Sequence, residues 1–127
     1  MGKILFHILN IVFLTLYTFP GSILGFIFYK NLNKQPHIGT DFIVSSNFII
    51  SSNHFYAFLV LSIFGFLNYY KSHKKLIILY FFSISIFLEF LHFIIPNRNF
   101  QFIDLFGNIA GVLLSLIIIN LIKYKKK

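Results

Sequence analysis

The sequence predicts an all-α, polytopic membrane protein, a bundle of four transmembrane helices. Hydrophobic residues make up 57% of the 127 residues, charged residues make up 11%, and the mean hydropathy is +0.82. Ordinary globular domains have roughly a quarter charged residues. The apolar residues form four runs, each near the ~20 residues that a helix needs to cross a bilayer. Because backbone groups in lipid must pair internally, we expect these runs to be helical.

The predicted spans cover about residues 4–29, 48–70, 76–95 and 104–122, within a single domain over residues 1–127. The start of the second span is expected between Phe48 and His54. The first run is long for the apolar part of a signal peptide, and no A-x-A-like cleavage site follows it, so we expect a span there. Pro20 and Gly21 lie in its middle and predict a kink. Between the first two spans, "SSNFIISSN" is either an extracellular turn or an interfacial segment.

The net charge of +8 indicates orientation in a membrane rather than binding to nucleic acid, because the basic residues lie between and after the apolar runs. If the N-terminus is cytoplasmic, the outer side holds Lys30, Lys34 and Arg98. The cytoplasmic side then holds Lys3, Lys71, Lys74, Lys75, Lys123, Lys125, Lys126 and Lys127. This excess predicts that both termini are cytoplasmic, with the "KYKKK" tail on anionic lipid.

Polar residues concentrate in "LEFLHFIIPNRNFQFIDLFGNIAG", residues 88–111, which holds two of the three acidic residues and the only arginine. Helical spacing places Glu89 and His92 on one face, and Asp104 and Asn108 on one face of the next helix. An ionised carboxylate in hydrocarbon costs at least ~2.5 kcal/mol, so Glu89 should face the bundle interior. The residues expected to converge in the outer third of the membrane are His54, Glu89, His92, Asp104 and Asn108, beside Arg98 in the connecting loop.

This stretch resembles the signature of the VanZ-like family of small bacterial membrane proteins, E-x-x-Q-x-x-x-P-x-R-x-x-x-x-x-D-x-x-x-N-x-x-G. The matching residues are Glu89, Pro96, Arg98, Asp104, Asn108 and Gly111, and His92 stands at the Gln position. A second family element, D-K-x-x-H-F, is matched in part by His54 and Phe55 in "SSNHFYAF". The resemblance covers the last three spans. It implies a location in a bacterial inner membrane and a role at the cell envelope, since the family is associated with resistance to the glycopeptide teicoplanin.

Three classes of function are consistent with these residues. The first is an envelope protein whose outward pocket binds the headgroup of a membrane lipid or a lipid-linked cell-wall component. In that pocket Arg98 would grip a phosphate with its planar fork, Glu89 and His92 would orient the headgroup by hydrogen bonds, and Asn108 would complete the wall. Asp104 is also expected among the binding residues. The second is an intramembrane enzyme that uses Glu89 with His92 or His54 for acid–base chemistry. The third is a small structural or assembly subunit whose polar cluster serves packing only. Each of the three classes is compatible with an oligomer.

Several simpler roles are also consistent with the same residues. Asp104 would cap the fourth helix or pair with Arg98. Gly107 and Gly111 form a G-x-x-x-G pattern that lets helices pack closely. Glu89 and His92 have the E-x-x-H spacing of metal sites in helical bundles, with His54 as a third ligand. No second E-x-x-H occurs and acidic residues are scarce, so the sequence predicts neither a metal nor a cofactor, and the absence of Cys excludes thiolate sites.

Overall fold

The chain is mostly helical in the computed structural model, which describes residues 2–45 and 47–124. Within that part of the chain there are five helices and one two-stranded antiparallel sheet. The helices are α1 (Gly2–Thr18), α2 (Ile23–Tyr29), α3 (Ser52–Tyr69), α4 (Lys74–Leu91) and α5 (Phe102–Tyr124), and the strands are β1 (Phe42–Ser45) and β2 (Phe48–Ile50). The hairpin is an addition to the predicted all-α fold. Ser46, within "SSNFIISSN", and Lys125 to Lys127 of the tail lie outside the described residues.

In the described part of the chain, α5 is the one helix that is long and apolar enough to cross a membrane by itself. The pair α1 and α2 meets the same condition only when the two are taken together. Both α3 and α4 have 18 residues; α3 carries polar residues at each end, and α4 carries Lys74, Lys75 and Glu89. The helices are therefore compatible with an all-α fold, whereas by length and composition only α5, among the described helices, is a candidate for crossing a membrane by itself.

The predicted kink at Pro20 and Gly21 is confirmed, but it is a full break. The axes of α1 and α2 differ by 83°, so residues 4–29 are not one straight span. Gly21 has φ +90°, a conformation that side chains disfavour and glycine adopts freely. Ser22 then caps α2, because its hydroxyl accepts a hydrogen bond from the Gly25 amide at 2.9 Å.

The bounds of two other helices refine the predicted spans. α3 begins at Ser52, inside the range of Phe48 to His54 expected for the start of the second span, because residues 48–50 pair with β1. The third does not reach residue 95, because α4 ends at Leu91 and His92 is its C-cap. From His92 to Ile94 the backbone amides donate to carbonyl oxygens three residues earlier, so the last turn tightens, and Pro96 has no N–H with which the helix could continue. His92, the C-cap in αR conformation, still lies on the same side of α4 as Glu89, three residues earlier.

Glycines bring α3 and α5 into close contact. A Cβ at Gly107 would lie 2.7 Å from the Ser51 carbonyl oxygen, and one at Gly111 would collide with the Phe55 carbonyl oxygen. The predicted G-x-x-x-G contact is thus confirmed for this pair. At Gly25 the obstructing atom is instead the Lys34 carbonyl oxygen in the loop after α2. The close α3–α5 packing sets the distance between the polar residues that follow.

The bundle buries several polar side chains beside its apolar core, and it exposes many large apolar side chains. Its fully buried residues include Glu89 and Asn108 beside Phe58, Phe66 and Phe81. Four serines are also fully buried: Ser52, Ser62, Ser85 and Ser115. The outward faces carry apolar side chains such as those of Ile4, 67% exposed, and Leu79, 64% exposed. Fully buried polar side chains and many widely exposed large apolar side chains are both uncommon in a protein folded in water.

Candidate functional site

The candidate site lies at one end of the bundle, where α1 and α4 end and α3 and α5 begin; we call this the polar end. Asn108 of α5 is at its centre. Its Nδ2 donates to the Ser85 carbonyl oxygen of α4 at 3.1 Å, which leaves Oδ1 as an acceptor. Oδ1 lies 3.0 Å from the Tyr17 hydroxyl, which donates to it, and 3.0 Å from His54 Nδ1. Asn108 therefore connects four helices through one buried amide.

Glu89 is held in the last turn of α4 by groups from two sides. Its Oε1 accepts a hydrogen bond from the Gln101 amide at 3.0 Å, just before α5 begins. The same oxygen lies 3.3 Å from His92 Nδ1. His92 Nε2 faces the Tyr17 carbonyl oxygen at 3.1 Å, so this nitrogen carries a proton and donates it. The predicted proximity of Glu89 and His92 is present, although His92 is a cap and not a helical residue.

His54, in the first turn of α3, lies between the two carboxylates. Its Nδ1 is 3.8 Å from Glu89 Oε2, and its Nε2 is 3.6 Å from Asp104 Oδ2. Asp104 is not the N-cap of α5, because that helix already begins at Phe102. It lies in the first turn, where the helix dipole still favours a negative charge.

Arg98 binds the end of α1 and no carboxylate among the described residues. Its Nη2 donates to the Leu16 carbonyl oxygen at 2.8 Å, and its Nε donates to the Phe19 carbonyl oxygen at 3.3 Å. The expected ion pair with Asp104 is not formed. Burial lowers the pKa of the Arg98 guanidinium, and the nearby Tyr17, Glu89 and Asp104 oppose that shift. Arg98 thus closes the carbonyl end of α1 while it borders the cavities described next.

Two cavities meet at the polar end. One of about 330 Å³ has mainly polar walls and is bordered by His54, Arg98 and Asp104. The other, of about 170 Å³, has mainly apolar walls and extends between α1, α2 and α3, past Phe13 and Ala57. Both cavities share a set of four wall residues: Gln35, Asn53, His54 and Arg98. A polar chamber and an apolar groove therefore adjoin across common side chains.

Sequence reasoning missed several of these residues. Tyr17 is an unremarked aromatic residue in an apolar run, and no spacing signal marks it. Gln35, His37 and Asp41 lie in a loop whose position over the polar cavity could not be predicted. Asn53 anchors that loop, since its Nδ2 donates to the Pro36 carbonyl oxygen at 2.8 Å and its Oδ1 accepts from the Ile38 amide.

Comparisons of the chain with protein-family models, with curated proteins and with solved structures give no match. The resemblance to the VanZ-like family accordingly rests on the residues of the 89–111 stretch and of the start of α3.

Proposed function

We propose that this chain is a VanZ-like, multi-pass protein of a bacterial cytoplasmic membrane and that its polar end faces outward. Each of α3, α4 and α5 would cross the bilayer, and α1 with α2 would form a broken first span. The buried serines, Glu89 and Asn108, together with the apolar outward faces, support this proposal, because such a surface is suited to lipid. Polar residues inside a membrane bundle face one another rather than lipid.

The orientation is supported by the lysines at the opposite end of the bundle. Lys3 Nζ lies 5.3 Å from the ring centre of Tyr69, and Lys123 Nζ lies 3.6 Å from that of Tyr70. The start of α1 and the end of α5 therefore meet the same end of α3. With the positive-inside rule, this arrangement supports the proposal that both termini lie in the cytoplasm.

We infer that the site binds an amphiphile of the envelope, a membrane lipid or a lipid-linked cell-wall precursor with a phosphate headgroup. The observation that carries this proposal is the junction of the polar chamber with the apolar groove at His54 and Arg98. The headgroup would occupy the polar chamber, and the first part of the chain would lie in the groove. Binding of such a component would alter susceptibility to glycopeptides such as teicoplanin, as the family resemblance implies.

In this proposal Arg98 does not have the role of a free phosphate-binding fork that the sequence suggested. Two of its donors already bind the carbonyl oxygens of Leu16 and Phe19. Its remaining guanidinium surface borders both cavities, so it contributes positive charge rather than a free bidentate fork.

An intramembrane enzyme that acts on the same lipid is the second candidate function. The favouring observation is that His54 borders both cavities and lies 3.6 Å from Asp104, as an acid–base pair would. Chemical turnover of the lipid probe described next would distinguish the enzyme from a binding protein.

The test uses the purified full-length protein in detergent and two probes, a short-chain prenyl phosphate and phosphatidylglycerol, with binding followed by native mass spectrometry. Ala57→Phe would fill the apolar groove and should weaken binding at least tenfold, about 1.4 kcal/mol. Val60→Phe is the matched control, because Val60 is on the same helix and is mostly exposed. Preference for the prenyl phosphate would indicate a cell-wall precursor, and preference for phosphatidylglycerol would indicate a bulk lipid. The proposal fails if neither probe binds or if the two variants bind equally well.

A further inference from the structure

We propose that His54, Glu89 and Asp104 form a binding site for a divalent transition-metal ion of the Zn²⁺ type. The three residues come from α3, α4 and α5, and one ligand atom from each lies within 4.8 Å of the others. Imidazole nitrogens and carboxylate oxygens are ordinary zinc ligands. In a tetrahedral site with bonds of about 2.0–2.1 Å, ligand atoms are roughly 3.3 Å apart, so side-chain shifts on the order of 1 Å would complete the site.

Glu89 distinguishes this cluster from a hydrogen-bonded packing network. Its side chain is fully buried, and Oε2 has no hydrogen-bond partner among the residues that the structure describes. His54 Nδ1 lies 3.8 Å from that oxygen, which is beyond hydrogen-bonding distance. A buried carboxylate oxygen without a partner is costly, and a cation between Glu89, His54 and Asp104 would satisfy it.

Neighbouring residues orient His54 as a ligand. Because Asn108 Nδ2 is fixed on the Ser85 carbonyl, Asn108 Oδ1 presents an acceptor 3.0 Å from His54 Nδ1. An acceptor at this position favours a proton on Nδ1. The other nitrogen, Nε2, then has a lone pair that points toward Asp104. In metal sites the ligand histidine commonly donates its other ring N–H to an acceptor, and this hydrogen bond fixes the tautomer that can bind the ion.

The distribution of charge also favours a cation at this place. Asp41, Glu89 and Asp104 are all the acidic residues in a chain of net charge +8, and all three lie at the polar end. Asp41 borders the same cavity as Asp104, but its Oδ1 already accepts a hydrogen bond from the Ser52 amide at 2.9 Å. Three protein ligands would leave one position of the ion open toward the cavity, for water or a phosphate oxygen. The site itself depends only on these three side chains and not on the lipid proposal.

The test is titration of Zn²⁺ alone, by calorimetry, into the full-length protein in phosphatidylcholine nanodiscs, prepared without a histidine tag. We expect one ion per chain. Glu89→Gln and Asp104→Asn should each weaken binding by at least about tenfold. Asp41→Asn and His7→Gln are matched controls that remove a carboxylate at the same end and a histidine at the other, and both should bind as the unaltered chain does.

Equal affinity in the four variants, or no binding by the unaltered chain, would overturn the proposal. If Glu89→Gln does not fold, Asp104→Asn still tests the site, because Asp104 is partly exposed and its replacement should disturb the fold less. The absorption spectrum of bound Co²⁺ provides a further measurement on the unaltered chain. Absorption bands typical of tetrahedral Co²⁺, which disappear when added Zn²⁺ displaces the Co²⁺, would support the site. A spectrum equal to that of hydrated Co²⁺ would contradict it. Failure of lipid binding with Zn²⁺ binding intact would affect only the proposed function.

Discussion

Tyr17 and Asn108 show how single residues organise the polar end. The Tyr17 hydroxyl lies 3.0 Å from His54 Nδ1 and donates to Asn108 Oδ1 at the same distance, while the Tyr17 carbonyl oxygen binds His92. The Tyr17 ring also packs edge-on against the His54 ring, with centres 5.2 Å apart. These contacts join α1 to a cluster otherwise built from α3, α4 and α5. The orientation of His54 therefore depends on residues from every long helix.

Arg98 is expected to be a residue on which the stability of the fold depends. Arg98→Lys should lower the free energy of unfolding by roughly 1–3 kcal/mol, because an ammonium group cannot bind the Leu16 and Phe19 carbonyl oxygens in the same planar geometry. Equilibrium unfolding of the full-length protein in mixed micelles measures this change. Lys30→Ala is the control and should stay within about 0.5 kcal/mol of the unaltered chain, since Lys30 is exposed. Unchanged stability in Arg98→Lys would show that the two carbonyl contacts contribute nothing.

At the scale of the elements, the contact between α3 and α5 determines the geometry of the site. Gly111→Ala should destabilise the protein by about 1–3 kcal/mol, because the new Cβ would collide with the backbone at Phe55. Helix propensity alone predicts the opposite, a gain of about 1 kcal/mol. The thermal midpoint of the purified protein distinguishes the two effects. Leu113→Ala, at an exposed position of the same helix, should leave the midpoint nearly unchanged, and a higher midpoint in Gly111→Ala would refute the close contact.

The break between α1 and α2 is the other element that shapes the site. After Gly21 turns the chain, the Ser22 amide donates to the Leu32 carbonyl oxygen at 2.7 Å. This contact folds the loop after α2 back toward the bundle. The loop residues Gln35 and Pro36 then form walls of the apolar groove, so the groove exists because the first apolar run is not a straight helix.

For the whole molecule, the proposed topology makes a direct prediction. The chain contains no cysteine, so single cysteines at Ser72 and Asn99 report their own positions. Both positions are exposed, in the turn before α4 and in the loop before α5. In intact spheroplasts an impermeant thiol reagent should label the Asn99→Cys protein, and the Ser72→Cys protein only after permeabilisation. The reverse pattern would contradict the orientation.

The burial pattern of the whole molecule has a simple cause in the proposed environment. In lipid there is no hydrophobic gain from burying leucine or isoleucine, so helices associate through small residues and polar contacts. Gly107 and Gly111 provide the close approach, and Asn108, between them, provides the hydrogen bonds. One stretch of α5 thus supplies both kinds of contact.

Much of the architecture could be predicted from the sequence because it depends on composition and local spacing. The helical character, the kink at Pro20 and Gly21, and the meeting of Glu89, His54 and Asp104 at one end follow from apolar runs and from the depth of each polar residue. The ends of the helices could not be predicted as well. Whether residues 48–50 join a helix or a strand depends on pairing with residues 42–45, which is a non-local contact.

The sequence by itself determined that this is a strongly apolar, helical chain with its few acidic groups in one region, because hydropathy and charge are properties of the residues themselves. Only the tertiary structure decided that Arg98 binds the end of α1 rather than Asp104, and that Tyr17 belongs to the site. It also brought His54, Glu89 and Asp104 within ligand distance of one another. The physical reason is that these contacts join different helices. A distance of a few ångströms between helices depends on how their backbones pack. Gly107 and Gly111 permit close packing, but their presence in the sequence does not specify which residues come into contact.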